Sequence, residues 1–103
     1  MQVLSRFLIV GTSMNPTLPH GTYVLTSSLP YLFTAPKRGD VVLARHPQDG
    51  KYVVKRISRI TESEYFVTGD NEKESTDSRH FGLLKRHAII GKVVYVLTLP
   101  KHD

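Results

Sequence analysis

The chain is a succession of short apolar runs, rich in β-branched and aromatic residues, most of them cut off by glycine or proline and one by the polar turn Thr61-Glu62-Ser63-Glu64. Residues 7–10, 22–26, 40–45, 51–60, 65–68 and 88–99 follow this pattern. Such runs favour strands, and the Gly and Pro breaks favour turns. No stretch has an amphipathic helical period of useful length. No repeat and no low-complexity segment is present. The expectation is a mainly β chain, a compact and partly closed β-fold in a single domain over residues 1–103. Residues 40–45 are apolar enough to be covered on both faces. Gly91, inside the last strand, is expected to mark a bulge or a close backbone approach. Residues 27–36 read as a loop exposing Leu29, Tyr31, Leu32 and Phe33. Residues 69–82 read as an irregular polar segment.

Composition narrows the chemistry. There is no cysteine among the 103 residues, so disulfides and thiolate metal sites are excluded. The net charge is +5, but the basic residues are scattered in small groups such as Lys37-Arg38, Lys55-Arg56 and Lys85-Arg86-His87. Most belong to solvated surface. Tyr52, Tyr65, Phe66 and Phe81 form no aromatic stripe between basic residues, so no nucleic-acid partner is expected. The first apolar run ends at Gly11 and is preceded by Arg6. It is far shorter than the roughly 20 residues needed to span a bilayer. It also lacks the small-residue cleavage site of a secretory signal. The chain is then either soluble, with a cytoplasmic location, or membrane-associated through an anchor that this sequence lacks.

Residues 11–18 (Gly-Thr-Ser-Met-Asn-Pro-Thr-Leu) break the first run into a loop. A serine here stands clear of any strand ladder, where a nucleophile has to be. For a lone loop serine the ordinary structural reading prevails, so Ser13 needs a base elsewhere in the chain. The five histidines, His20, His46, His80, His87 and His102, sit beside turn or basic residues in no mechanistic spacing. They read as surface histidines. A lysine serves as base only when desolvation lowers its pKa well below about 10.4. In residues 51–60, strand alternation puts Val53, Lys55 and Ile57 on one side. Two readings of Lys55 stay open: a buried base, or an edge-strand lysine whose stem carries its charge to water. In the polar segment, Asp77 is placed to pair with Arg79, and Asp70 is a second acceptor for Arg79. That segment is either a solvated loop or a buttress for the lysine.

Together three segments carry a resemblance. Ser-Met-x-Pro-Thr from Ser13, Val-x-Lys-Arg ending at Arg56, and Gly-Asp-Asn from Gly69 followed by Ser-x-Asp-Ser-Arg-x-x-Gly from Ser75 resemble, in this order, the signal peptidase I family of serine-lysine proteases. The resemblance implies a family fold that is predominantly β. It implies Ser13 as nucleophile, Lys55 as general base, and Ser75 as the serine that orients the lysine. It matches Asp77 and Arg79 to the pair that holds the active-site loop. Gly69, Asp70 and Asn71 match a structural turn beside it. Met14 and Pro16 match residues of the substrate-facing wall. It implies no metal and no cofactor.

Two departures stand out. Many members carry a hydroxyl residue two positions before the nucleophile as an oxyanion donor, and here that position is Gly11. The oxyanion would then rest on the Ser13 backbone N–H, helped by Thr12 or water. The anchor and the large additional β-domain of some members are also absent from this sequence, which argues against a general exporter. Residues 39–47 and Ser75 to Arg79 look most like a small anchorless branch that acts on nickel superoxide dismutase precursors. The partner implied is a precursor protein with an N-terminal leader. The alternatives are a general signal peptidase I catalytic domain without its membrane anchor and a self-cleaving LexA-type peptidase, for which the chain shows no DNA-binding half and no clear Ala-Gly hinge; a non-enzymatic nucleic-acid-binding β-module ranks last.

Overall fold

Seven antiparallel strands form one sheet in the order β1-β2-β7-β3-β4-β5-β6. The computed structural model describes residues 4–71, 73 and 76–97. The strands are β1 (Leu4–Leu8), β2 (Tyr23–Ser27), β3 (Val41–Arg45), β4 (Tyr52–Thr61), β5 (Glu64–Thr68), β6 (Leu84–Lys85) and β7 (Ile89–Leu97). Among the described residues, two one-turn α-helices, α1 (Pro30–Phe33) and α2 (Ser78–Phe81), and a 3-10 turn at Arg86–Ala88 interrupt them. The mainly β expectation is met. β1 starts at Leu4 and ends at Leu8, earlier than the apolar run at residues 7–10, because an edge strand accommodates the polar Ser5 and the exposed Arg6. The other pieces that the pattern does not show are too short to have a period: α1, α2 and the two-residue β6.

Alternation along β3 and β4 divides the core in two. Val42, Ala44 and Ile57 pack with Tyr65, Val67, Leu84 and Ile89. Leu43 and Val54 point the other way, to Ile9, Met14, Leu18 and Val24. Both faces of β3 are therefore covered, as its apolar sequence requires. Each fully buried Val, Leu, Ile or Met side chain among these contributes about 1.5–3 kcal/mol by leaving water.

The sheet curls because its ladders slip. Register shifts fall at Leu25/Thr26, Leu43/Ala44 and Ile57/Arg59, and bulges of this kind increase local twist. Curling brings the edge strand β1 across to β4, where the Phe7 and Tyr52 rings meet edge to face at 6.4 Å. Gly91 does both things expected of it. It lies at the slip, with Leu43 opposite Gly91 and Ala44 opposite Ile89. A Cβ added at Gly91 would also lie 2.9 Å from the Ser27 carbonyl oxygen.

The segment at residues 27–36 is more ordered than its composition implies. Pro30 starts α1, and Leu29, Leu32 and Phe33 are exposed. Tyr31, expected to be exposed with them, instead packs on the core, and its hydroxyl donates to Asp40 at 2.7 Å.

Candidate active site

The loop after β1 is closed by backbone pairs. The Ile9 N–H donates to Thr22 O, and the Gly21 N–H donates to Ile9 O, both at 2.8 Å. Within it, the Leu18 N–H donates to Met14 O at 2.8 Å. Met14 and Leu18 are 1% and 2% exposed and plug the loop into the core. That leaves Ser13 half-buried on the loop's surface. Among the described residues, the Ser13 N–H donates to no protein acceptor.

A second loop clamps the first. The Asn71 N–H donates to Ser13 O at 2.8 Å, and Asn71 Nδ2 donates to Thr12 O at 3.0 Å. Asp70 accepts from Thr17 Oγ1 at 2.5 Å and from Arg56 Nε and Nη2, each at 2.9 Å. Arg56 follows Lys55 on β4, so one carboxylate joins the strand to the loop. Asp70 was expected to accept from Arg79 as well. Arg79 is instead committed to Asp77, because the two flank the start of α2 on one short turn.

Lys55 is 4% exposed, so its stem does not carry the charge to water. Val53 and Ile57, its neighbours on the same face, pack in the core on either side. Burial lowers its pKa from the ordinary lysine value; the Asp77 carboxylate opposes this, and the Arg79 guanidinium lowers it further. Asp77 is fully buried. It accepts from the Gly69 N–H at 2.9 Å, from the Arg79 N–H at 3.1 Å, and from Arg79 Nε and Nη2 at 2.9 and 2.6 Å. The next residue, Ser78, accepts from the Val67 N–H at 2.9 Å and ties α2 to β5. The described residues Asp70, Asn71, Asp77 and Ser78 thus tie this segment to residues 12–17, β4 and β5.

Ser13 and Lys55 line one cleft of about 250 Å³. Its other walls are residues 7–10, Met14 and residues 52–54. Met14 reaches the cleft from the core. Pro16 is exposed and lies outside the lining, as do residues 29–33. Thr12 is exposed, and its carbonyl is taken by Asn71 Nδ2 and the Asn15 N–H. Ser75 lies outside the described residues. Among those residues no group of His, Asp or Glu side chains is placed to hold a metal ion.

Three participants escaped the pattern reading. Thr17 was read only as part of a motif, and Arg56 only as the residue after the lysine. His20 was set aside as a surface histidine, yet its Nδ1 accepts the Gly11 N–H at 2.9 Å. Nothing in linear spacing joins residues 11 and 20, or 17 and 70; the loop closure does.

Comparison with known proteins places nearly the whole chain in one family. A family model described as signal peptidase, peptidase S26, matches residues 1–58 and 57–98. The chain is 34% identical to mitochondrial ATP-independent inner membrane protease subunit 1a of Arabidopsis thaliana, over 97% of this chain and 74% of that protein. It is 28% identical to mitochondrial inner membrane protease subunit 1 of Mus musculus, over 82% of this chain and 64% of that protein. It is 25% identical to signal peptidase I V of Bacillus subtilis (strain 168), over 88% and 84%. By the extent of the family match, the chain belongs to the signal peptidase family, peptidase S26, and is an enzyme of the serine peptidase class.

Proposed function

We propose that the chain is a serine endopeptidase that removes an N-terminal leader from a precursor protein through a Ser13–Lys55 dyad. The observation that carries this reading is the shared cleft, with an exposed-loop serine and a buried, charge-disfavoured lysine on its walls. Ser13 Oγ attacks the scissile carbonyl while neutral Lys55 Nζ takes its proton. The Ser13 N–H, without an acceptor among the described residues, donates to the developing oxyanion. The leaving amine takes a proton from Lys55. Water, activated by Lys55, then releases the acyl group. No metal or cofactor takes part. Asp77 and Arg79 fix the segment beside the lysine, and Ser75 is the residue assigned to orient it.

The substrate binds as an added strand. β1 is an edge strand of the sheet. β4 pairs with β5 only from Arg56 onward, which leaves residues 52–55 open on that side. The cleft runs between these two edges, and an extended peptide there finds backbone partners.

The substrate assigned is a nickel superoxide dismutase precursor, on the resemblance of residues 39–47 and Ser75 to Arg79 to the branch that processes it. A cytoplasmic location goes with that substrate. A second reading, general leader removal at a membrane, draws support from the Arabidopsis and mouse relatives, which are named for the mitochondrial inner membrane. Among the described residues no helix is long and apolar enough to cross a membrane. The deciding experiment is intact-mass analysis of the precursor after incubation with wild type, Ser13→Ala or Lys55→Ala. Leader loss with wild type alone supports both dyad and substrate. Ser13-dependent cutting of a generic signal peptide, with the precursor left intact, keeps the dyad and removes the substrate. No cutting of either contradicts the peptidase reading.

A further inference from the structure

We infer that His20 is a positioning residue for the catalytic serine, acting through its bond to the Gly11 N–H. The inference rests on the reading of Ser13 as nucleophile. Gly11 stands two residues before Ser13, at φ +90, and a Cβ built there meets nothing within 4 Å. Gly11 itself therefore has no side-chain packing to hold it, although Ile9 before it is buried and paired with Thr22 and Gly21. Beyond it, Thr12 O is held by Asn71 Nδ2 and Asn15 N, and Ser13 O by Asn71 N. At Gly11 the hydrogen bond that performs this task is the one to His20 Nδ1, at 2.9 Å.

The acceptor is well anchored. On one side of His20, Pro19 O accepts the Thr22 N–H at 3.1 Å; on the other, the Gly21 N–H donates to Ile9 O at 2.8 Å. The histidine backbone is thus tied into the loop's base, and its side chain reaches back to Gly11, nine positions earlier. An accepting Nδ1 requires the tautomer with its proton on Nε2. The bond is exposed and competes with water, so its contribution to folding is small. Its effect is on direction: the Gly11 backbone sets the path of Thr12, and Thr12 sets where the Ser13 N–H and Oγ point. The main oxyanion donor proposed here is that N–H, so an error in its aim is costly.

The test uses the whole chain and a leader-bearing peptide, with His20→Ala, His20→Asn and Ser13→Ala beside wild type. Asn Oδ1 is an acceptor the same number of bonds from Cα as Nδ1. His20→Ala is expected to lower kcat roughly 10- to 100-fold, the scale of a small misplacement of reacting groups. KM should stay within about twofold, and His20→Asn should recover to within about threefold of wild type. In labelled Ser13→Ala protein, a through-hydrogen-bond ¹⁵N–¹⁵N coupling should join the Gly11 amide to His20 Nδ1. Full kcat in a folded His20→Ala, no advantage of Asn over Ala, or absence of that coupling each overturns the inference. A Ser13→Ala protein that still cuts would remove the nucleophile reading, and this inference with it. Loss of cutting in Ser13→Ala alone, with both His20 variants at the wild-type rate, removes only this inference.

Discussion

Arg56 grips Asp70 through two nitrogens, Nε and Nη2, each 2.9 Å from a carboxylate oxygen. The same carboxylate accepts from Thr17 Oγ1 at 2.5 Å, and Arg56 Nη1 donates to Gly39 O at 2.9 Å. The residue beside the proposed base is thereby joined to the loop that carries the proposed nucleophile. Bidentate geometry of this kind fixes direction as well as distance.

Asp70→Asn should therefore cost activity more than stability. It keeps the size but loses the charge and one fork of the pair. kcat should fall about 10- to 100-fold, on the scale of a reacting group misplaced by about an ångström. Thr17→Val should give a smaller loss in the same direction. Steady-state kinetics on a leader peptide checks both. The Arg56 bonds also hold the Asp70 pKa below its ordinary value, with Thr17 helping. A depressed carboxylate stabilises the fold above its unfolded pKa of about 3.9 and loses that contribution as pH falls through its folded value. Asp70→Asn should accordingly flatten the acid limb of a stability profile followed by denaturant unfolding.

Lys55 should weigh on the fold in the opposite sense. Its folded pKa is lowered, chiefly by burial. The folded state then binds fewer protons than the unfolded chain between the two values, so stability should rise with pH across that window. Lys55→Met removes the buried charge while keeping the volume. It should flatten the alkaline rise and abolish cleavage. A rise in stability with pH that is unchanged in Lys55→Met would contradict a charge-disfavouring site.

The rate should follow the same proton. If Lys55 is the base, kcat/KM must climb from neutral toward alkaline pH as the ammonium deprotonates. A profile flat from about pH 6 to 9, with chemistry limiting, would count against a lysine base.

Gly91→Ala tests the curl of the sheet. The new Cβ would meet the Ser27 carbonyl oxygen at 2.9 Å and its carbon at 3.1 Å. Both are backbone atoms of the paired strand β2 and cannot swing aside as a flexible side chain would. Destabilisation of about 1–3 kcal/mol is expected from such overpacking, read as a shift in the urea midpoint with m unchanged. An unshifted midpoint would mean that β2 and β7 can part without cost.

Much of this was legible in the sequence, for identifiable reasons. Lys55 lies between Val53 and Ile57 on one face because strand alternation has a period of two, and that rule survives folding. Gly91 was legible because a glycine within an apolar strand has few other uses. The Glu62-Ser63 hairpin turn was legible as a polar break between two apolar runs, but its backbone geometry was not. Its residues adopt φ of 48 and 81, yet they lack the glycine or asparagine that announces such a turn. Helix α2 was hidden in a polar segment because its start depends on a single cap, Asp77 accepting from the Arg79 N–H. The Arg56–Asp70 and Gly11–His20 contacts were out of reach, since both depend on loops whose closure involves distant partners.

The central claim is that Ser13 is the nucleophile and Lys55 its base. The direct measurement is mass spectrometry of acid-quenched mixtures of the enzyme with a reactive ester of a leader peptide, for which deacylation limits turnover. The account requires an acyl adduct on Ser13 in wild type and none in Ser13→Ala or Lys55→Ala. An adduct on another residue, or one formed at the wild-type rate without Lys55, would contradict it.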